Sequence, residues 1–366
     1  MPKRRFALDP HAAPPKRAIN LSVMALRYRF SAMDAKHPSS PHARFAIAAL
    51  AALAAFAATA FAPQVLNDGD TFLHVAAGQR MLADHAILFR DPFSYTFGGA
   101  RWDAHEWLAE IAMAWCYRAG GWSGLLSLFG AAAAIAAGLL SHALGRWLPP
   151  RAQALATVLA LSCMTGTLLA RPHLLALPLL VAWTASLAAA RSDRRAPSLA
   201  LLPLITVWAN IHGSFLLGLA VAGGFALEAF FADGDDRVPE RRAWLLFCAG
   251  AFAAALINPH GLDGVLFPFR LMATPALAGV GEWQPTPLTL FQPVIPVSAF
   301  TIYVIATRHV RMSLMRAAML LGLAIMAFMH VRHQLVFAAV APLLLAEPVA
   351  AALPRERTEG ALWRPA

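Results

Sequence analysis

Asp68 and Asp70, His105 and Glu106, Arg171 and His173, Asn210 and His212, Asn258 and His260, Glu282, and the run from His330 to His333 share one property: each falls at a junction between long apolar runs. Carboxylates, imidazoles, amides and guanidinium groups together can move protons, hold phosphate or bind hydroxyls. Such groups are costly at membrane depth and tend to be functional there. When the runs are threaded through a bilayer, these junctions all emerge on one face and the arginine clusters on the other. The sequence therefore predicts a one-sided polar site.

The patterns around these residues carry different weight. In Asn67-Asp68-Gly69-Asp70-Thr71, with His74 a turn further on, two aspartates can take a hydroxyl proton or hold a divalent cation. One aspartate would suffice merely to cap a helix over 71–84. The second pattern is Asp91-Pro92-Phe93-Ser94 followed by Trp102, Asp103, His105-Glu106-Trp107 and Glu110. His105-Glu106 does not open the zinc motif HExxH, because Ala109 stands at its fifth position. A metal set drawn from Asp68, Asp70, His74, Asp103, His105 and Glu106 lacks diagnostic spacing, and His105 and Glu106 serve equally as caps of an interfacial helix.

Four outer junctions carry Arg171-Pro172-His173, Asn210-Ile211-His212-Gly213, Asn258-Pro259-His260-Gly261 and His330-Val331-Arg332-His333. Arg171 and Arg332 break the sidedness of every other arginine. A phosphate is the natural bidentate partner of a guanidinium, and snorkelling to headgroups is the alternative. Glu282-Trp283 can hold a sugar by stacking plus a hydrogen bond, or serve as a belt tryptophan beside a turn.

The elements that must position these groups follow from composition. Of 366 residues, 59% are hydrophobic and 14% charged, with mean hydropathy +0.56. Soluble domains carry about 25% charged residues, so the chain reads as an all-α polytopic membrane protein. Its net charge of +10 does not point to nucleic acid, because the basic residues sit in the N-terminal tail and short loops, where they set topology. Cys116, Cys163 and Cys248 lie scattered in apolar stretches and read as inert thiols.

A crossing needs roughly 20 apolar residues. The expected spans are 45–64, 122–144, 153–170, 172–190, 199–210, 213–231, 243–257, 288–307, 313–329 and 334–352, about ten, two of them short. Residues 1–44 form a basic tail expected to be disordered and cytoplasmic, and 353–366 a second short cytoplasmic tail. Loops bearing Arg146/Arg151, Arg191/Arg194/Arg195, Arg237/Arg241/Arg242, Arg308/Arg311 and Arg355/Arg357 then all fall inside. The outer face receives loops 65–121, 171, 210–212, 258–287 and 330–333. Within the first, His105 to Tyr117 reads as an interfacial amphipathic helix with Trp107, Leu108, Ile111 and Trp115 on one side. Ala60-Phe61-Ala62 imitates a signal-peptide cleavage site, but so long a basic lead favours an uncleaved anchor.

The string Asp68-Gly-Asp70-Thr71-Phe-Leu-His74, then Asp91-Pro92-Phe93-Ser94-Tyr-Thr96, Gly99, Trp102 and His105-Glu106-Trp107-Leu108-x-Glu110, resembles the first outer loop of bacterial GT-C-type membrane glycosyltransferases. These are similar to the dolichyl-phosphate-mannose protein mannosyltransferases. Arg171-Pro172-His173, Trp208-x-Asn210-x-His212-Gly213, Asn258-Pro259-x-Gly261 and Glu282-Trp283 extend the resemblance over residues 45 to about 350. Larger members carry a soluble C-terminal domain that has no counterpart in this sequence.

The resemblance implies a multi-pass enzyme of the bacterial inner membrane, part of the cell envelope. It would move a sugar from a polyprenyl-phosphate donor to a hydroxyl of a glycan, lipid or protein on the periplasmic side. Asp70, or else Asp68, takes the place of catalytic base or metal ligand. Substrate contacts would come from His105, Glu106, Arg171, His173, Asn210, His212, Asn258, Glu282, Arg332 and His333. No cofactor is demanded, and a divalent cation at Asp68 and Asp70 stays open. The alternatives are a transporter or flippase for a lipid-linked or anionic solute, and a non-catalytic membrane assembly protein.

Overall fold

A computed structural model describes residues 41–232 and 238–353. The expectations for residues 1–40 and 354–366 lie outside them. Every regular element described is helical, with a lone bridge between Arg90 and Arg101 closing the loop 90–101. We number the helices α1 Pro41–Ala60, α2 Gly69–Asp84, α3 Trp107–Leu144, α4 Pro150–Met164, α5 Pro172–Ser192, α6 Leu202–Ala209, α7 Phe215–Phe230, α8 Val238–Ala255, α9 Leu262–Met272, α10 Val294–Thr307, α11 Leu314–Met329 and α12 Gln334–Ala352.

Small residues let the first long helices approach. α1 buries Ala48, Ala51, Ala55 and Thr59 along one stripe and leaves Phe45, Leu50 and Leu53 outward. Facing it on α3, a side chain on Gly130 would press on the Phe56 ring at 3.0 Å, and Gly138 sits over Ala52. Close backbone approach through small residues is how helices associate in lipid, where burial supplies little drive. α1 begins earlier than expected, at Pro41, because Arg44 Nε donates to the His142 carbonyl at 2.8 Å and fixes its first turn to the end of α3.

The expected interfacial helix and second span are one element. α3 runs 38 residues and breaks at Gly120 and Gly121, where Gly121 adopts φ +57°, a left-handed conformation open to glycine. Its first part packs against α2 through Ala109, Glu110, Met113 and Ala114, with Trp115 left 65% exposed. The contact demands glycine at 78: a Cβ there would lie 1.9 Å from the Glu110 carbonyl oxygen.

Four helical segments are long and apolar enough to cross a bilayer: Pro41–Ala60, Trp107–Leu144, Pro172–Ser192 and Val331–Ala352. Leu199–Ala209, Phe215–Phe230, Val294–Thr307 and Leu314–Met329 are apolar but shorter. At 1.5 Å per residue, a 16-residue helix covers about 24 Å, less than the ~30 Å of hydrocarbon. The expected spans 153–170 and 243–257 appear as α4 and α8. α4 stops at Met164, where a 3₁₀ turn over Thr165–Thr167 takes over. Apolar runs in sequence thus overstate unbroken helix, because turns and prolines interrupt them.

α5 and α12 lie at the centre. α5 buries Leu174, Leu177, Leu180, Val181, Trp183 and Leu187, and α12 buries Leu335 and most positions through Leu345. Trp183, Trp208, Trp244, Phe215, Phe225 and Phe247 fill the space around them. Trp183 keeps its indole N–H bonded to the Gly218 carbonyl at 2.8 Å, as a buried polar group must. Each end of these central helices carries a dense ionic network.

Candidate functional site

The site grows from the N-terminal end of α5. Proline at 172 starts that helix and leaves Arg171 extended just ahead of it. The Arg171 side chain, 18% exposed, meets three carboxylates from two other segments. Nε and Nη2 grip Asp68 in a two-pronged pair, Nη2 also lies 3.1 Å from Asp70, and Nη1 lies 3.0 Å from Glu282. Glu282 in turn accepts from Arg332 Nη1 at 3.0 Å, and the Arg332 guanidinium stands 4.5 Å over the Trp283 ring. Five residues expected to share a site, drawn from positions 68 to 332, do meet.

Their roles separate once partners are counted. Asp68 caps α2, its Oδ1 accepting from the Asp70 amide at 2.9 Å. Burial alone would raise its carboxyl, but the Arg171 hydrogen bonds, the Asp70 amide and nearby positive charge hold it below the ordinary carboxylate range. A carboxylate so held is a poor proton acceptor, and Asp68 is a brace for Arg171. Asp70 keeps its side chain 54% exposed with one ionic contact. Arg171 has every guanidinium nitrogen on a carboxylate. Arg332 differs: its Nε and Nη2 make no hydrogen bond among the described residues, so it retains donors for an anion.

The second half of the site is a carboxylate ringed by imidazoles. Glu106, at the N-cap of α3, has His212 Nε2 at 3.5 Å, His105 Nε2 at 3.6 Å and His74 Nε2 at 3.7 Å. His74 also binds Glu110 through Nδ1 at 3.0 Å. Burial works against a charged His74, but the Glu110 hydrogen bond and the charges of Glu106, Glu110 and Asp70 prevail and raise it. His212 goes the other way, driven well below its ordinary range by burial first and by neighbouring positive groups second. His173 stands behind it, ring centroids 6.1 Å apart, with Nε2 3.3 Å from the Thr167 carbonyl. The two halves interact: His74 feels Asp70, and Arg332 feels Glu106.

Three expected substrate contacts are structural. Asn210 accepts from the Trp107 indole at 2.7 Å and donates to the Thr206 and Ile257 carbonyls, clamping α3, α6 and the end of α8. Asn258 closes its own turn by donating to Ala255 and Gly261 and accepting from the His260 amide. His333 lies against the Met326 carbonyl at 3.3 Å, and its neighbour His330 against that of Trp283 at 2.6 Å. Asp91 accepts from the Phe93 and Ser94 amides and shapes a turn. For Asn258 and Asp91 the residue's own turn supplies the partners, and for Asn210 and His330 neighbouring segments do.

Arg171 holds both Asp68 oxygens and lies on Oδ2 of Asp70, which leaves Asp70 Oδ1 as the oxygen it does not engage. Among the described residues no group of three or more His, Cys, Asp or Glu is arranged to hold a metal ion.

The expected one-sidedness needs correction. At the other end of the central helices, Arg316 donates to both Glu228 oxygens at 3.1 Å and lies 2.9 Å from Glu347, while Arg191 lies 3.3 Å from Glu240. Glu228, Arg316 and Glu347 sit inside expected spans, so their charges within apolar runs were the available signal.

No family model, curated protein or solved structure matches the chain.

Proposed function

We propose that the chain is a GT-C-type glycosyltransferase of the bacterial inner membrane, moving a sugar from a polyprenyl-phosphate donor to an acceptor hydroxyl on the periplasmic side. The carrying observation is the meeting of Asp68, Asp70, Arg171, Glu282 and Arg332 beside the imidazole-ringed Glu106. In this reading the chain crosses the membrane about ten times, with the short helices completing their crossings through flanking loops and both termini cytoplasmic.

The donor phosphate binds Arg332 through Nε and Nη2, next to the indole of Trp283. Arg171 holds Asp70 in place and shares Glu282 with Arg332. Asp70 takes the acceptor's hydroxyl proton. The acceptor oxygen then bonds to the anomeric carbon from the face opposite the phosphate. The carbon–oxygen bond to phosphate breaks with its electrons going to phosphate, and the configuration inverts.

The test is transfer of radiolabelled sugar from a panel of polyprenyl-phosphate sugars in proteoliposomes, with undecaprenyl phosphate binding measured separately. Arg332→Ala is expected to weaken that binding about tenfold or more, the loss of a charge-assisted contact worth ~1.5–3 kcal/mol. Binding equal to wild type would remove Arg332 from the site. The threading is checked by an impermeant thiol reagent on intact cells: Gly98→Cys and Ala273→Cys, in the two outer loops, should both label, and protection of both overturns it.

The ionic network at the opposite end of α5 and α12 favours a second reading, a transporter of lipid-linked solute with an ion-pair gate at each end. The packed Trp183, Phe225 and Phe247 between the ends weigh against a central substrate path. Movement of intact lipid-linked sugar across proteoliposomes without a new glycosidic bond would favour the transporter.

A further inference from the structure

Proton positions around Glu106 leave one pair of groups without a hydrogen between them. His105 Nδ1 lies 3.1 Å from the Asp103 carbonyl, which can only accept. The neutral ring therefore carries its proton on Nδ1 and presents a bare Nε2. That nitrogen faces Glu106 Oε1 at 3.6 Å, and an ionised carboxylate is also only an acceptor. The other two imidazoles are of opposite kind. His212 Nδ1 accepts from the Ser214 amide at 3.1 Å, so its proton is on Nε2 and points toward Glu106. His74 lies between Glu110 and Glu106, and a proton on each nitrogen satisfies both. Among the described residues, a neutral His105 is the imidazole that meets Glu106 lone pair to lone pair.

The arrangement is held in place and reachable. The His105 ring packs on Phe267 of α9, centroids 4.3 Å apart, and Glu106 is fixed at the N-cap of α3. The two side chains are 23% and 13% exposed. A metal ion does not explain the lone pairs, since the surrounding donors do not form a metal set among the described residues.

We infer that His105 Nε2 and Glu106 Oε1 form a two-point acceptor for a pair of adjacent hydroxyls, the diol edge of a sugar ring. Two acceptors 3.6 Å apart can each take a hydroxyl hydrogen at an oxygen–acceptor distance of about 2.7–2.8 Å. A water molecule can bridge the same atoms, and a ligand replacing it must reproduce both hydrogen bonds. A diol does so; a phosphate, which brings acceptors, does not. The identification of the diol as a sugar rests on the transferase reading and sharpens it: phosphate at Arg332, hydroxyl edge at His105 and Glu106.

The experiment uses the full chain in detergent micelles with ¹⁵N-labelled histidine, the His105 signal assigned through His105→Gln. The probes are methyl glycosides of glucose, mannose and galactose and their monodeoxy analogues. A shift of the His105 ring-nitrogen signal is expected on adding at least one glycoside, with about tenfold weaker binding when a diol hydroxyl is missing. Glu106→Gln should abolish that discrimination while thermal unfolding stays cooperative. If Glu106→Gln does not fold, the wild-type shift and the deoxy series decide alone. Three results overturn the inference: a second proton on Nε2 in the free protein, no response to any glycoside, or equal binding of the deoxy analogues. Sugar transfer without a glycoside response would sink the diol pair and leave the transferase standing. A glycoside response without sugar transfer or undecaprenyl phosphate binding would do the reverse.

Discussion

The central helices α5 and α12 end in two ionic networks built on different principles. At one end Arg316 and Arg191 meet Glu228, Glu240 and Glu347, with guanidinium groups and carboxylates interleaved and most side chains under 12% exposed. At the other, Arg171 and Arg332 meet Asp68, Asp70 and Glu282, and exposure is graded: 7% at Asp68, 18% at Arg171, 24% at Arg332 and 54% at Asp70. The first network joins Arg191, Glu228, Glu240 and Arg316, all in terminal turns of their helices, to Glu347 of α12, and has its charges compensated in place. The second grows from helix ends and loops, keeps spare donors on Arg332, and leaves one aspartate open. A closed network ties helices together, and an open one can act on a ligand. The cavity of about 380 Å³ beside the closed network, lined by Arg191, Glu228, Phe231, Ala232, Ser313, Leu314 and Met315, offers no comparable donor set.

The sharpest way to break this contrast is Arg171→Ala. It strips one cation from three carboxylates, two of them largely buried. Removing one partner of a buried ion pair costs about 3–5 kcal/mol, so a large drop in the thermal unfolding temperature is expected. Arg171→Lys should recover part of it, because an ammonium cannot reproduce the two-pronged grip on Asp68. An Arg171→Ala protein as stable as wild type would show that the carboxylates do not depend on it.

Asp70→Asn should separate stability from activity. Asp70 is more than half exposed, so its loss should leave unfolding nearly unchanged, while removal of a general base lowers transfer about 10²- to 10⁴-fold. Full activity in Asp70→Asn would remove it as the base. Asp68→Asn should instead act on stability. Its carboxyl is held below the ordinary range, so the stabilisation it lends is present above the unfolded value of about 3.9 and is lost as pH falls through the folded one. Measured against pH, the Asp68→Asn and wild-type unfolding temperatures should therefore converge in acid.

The paired substitution Arg316→Met with Glu228→Gln probes the closed network. Replacing a buried pair by neutral groups of similar size is often close to neutral for stability, so a change under about 2 kcal/mol is expected, with undecaprenyl phosphate binding intact. Lost binding would tie this network to the outer site and promote the transporter reading.

These two networks also mark what the sequence could and could not convey. Asp68, Arg171, Glu282 and Arg332 stood out because each is a charge beside a turn signal at the end of an apolar run. Helix positions followed from apolar runs, and the cap at Asp68 from its place before a helical stretch. Gly120 and Gly121 gave no warning that two expected helices join as one, since a glycine pair reads equally as a loop. Asn210 and Asn258 looked like ligands because sequence does not show which backbone carbonyl an amide will meet. Glu228, Arg316 and Glu347 escaped because their partners lie up to 88 residues away, as from 228 to 316. Pairing over such distances is decided by helix packing.

The smallest effect lies at His74, where the two halves of the outer site touch. Glu110 and Glu106 flank the imidazole, and Asp70 adds its charge, so the folded protein holds the proton more tightly than the unfolded chain, whose value is about 6.5. The associated stabilisation is complete below that value and is lost as pH rises through the higher folded one. His212, lowered by burial, acts in the opposite sense and below the ordinary value, so the His74 share is read as a difference. The gap in unfolding temperature between wild type and His74→Asn, which keeps a hydrogen bond but cannot carry the charge, should be largest below about 6.5 and shrink as pH rises above it. The closed network contains no histidine among the described residues, so Arg316→Met with Glu228→Gln should leave that gap unchanged. A gap that stays constant across the window would place its origin elsewhere and remove His74 as the charged link between Glu110 and Glu106.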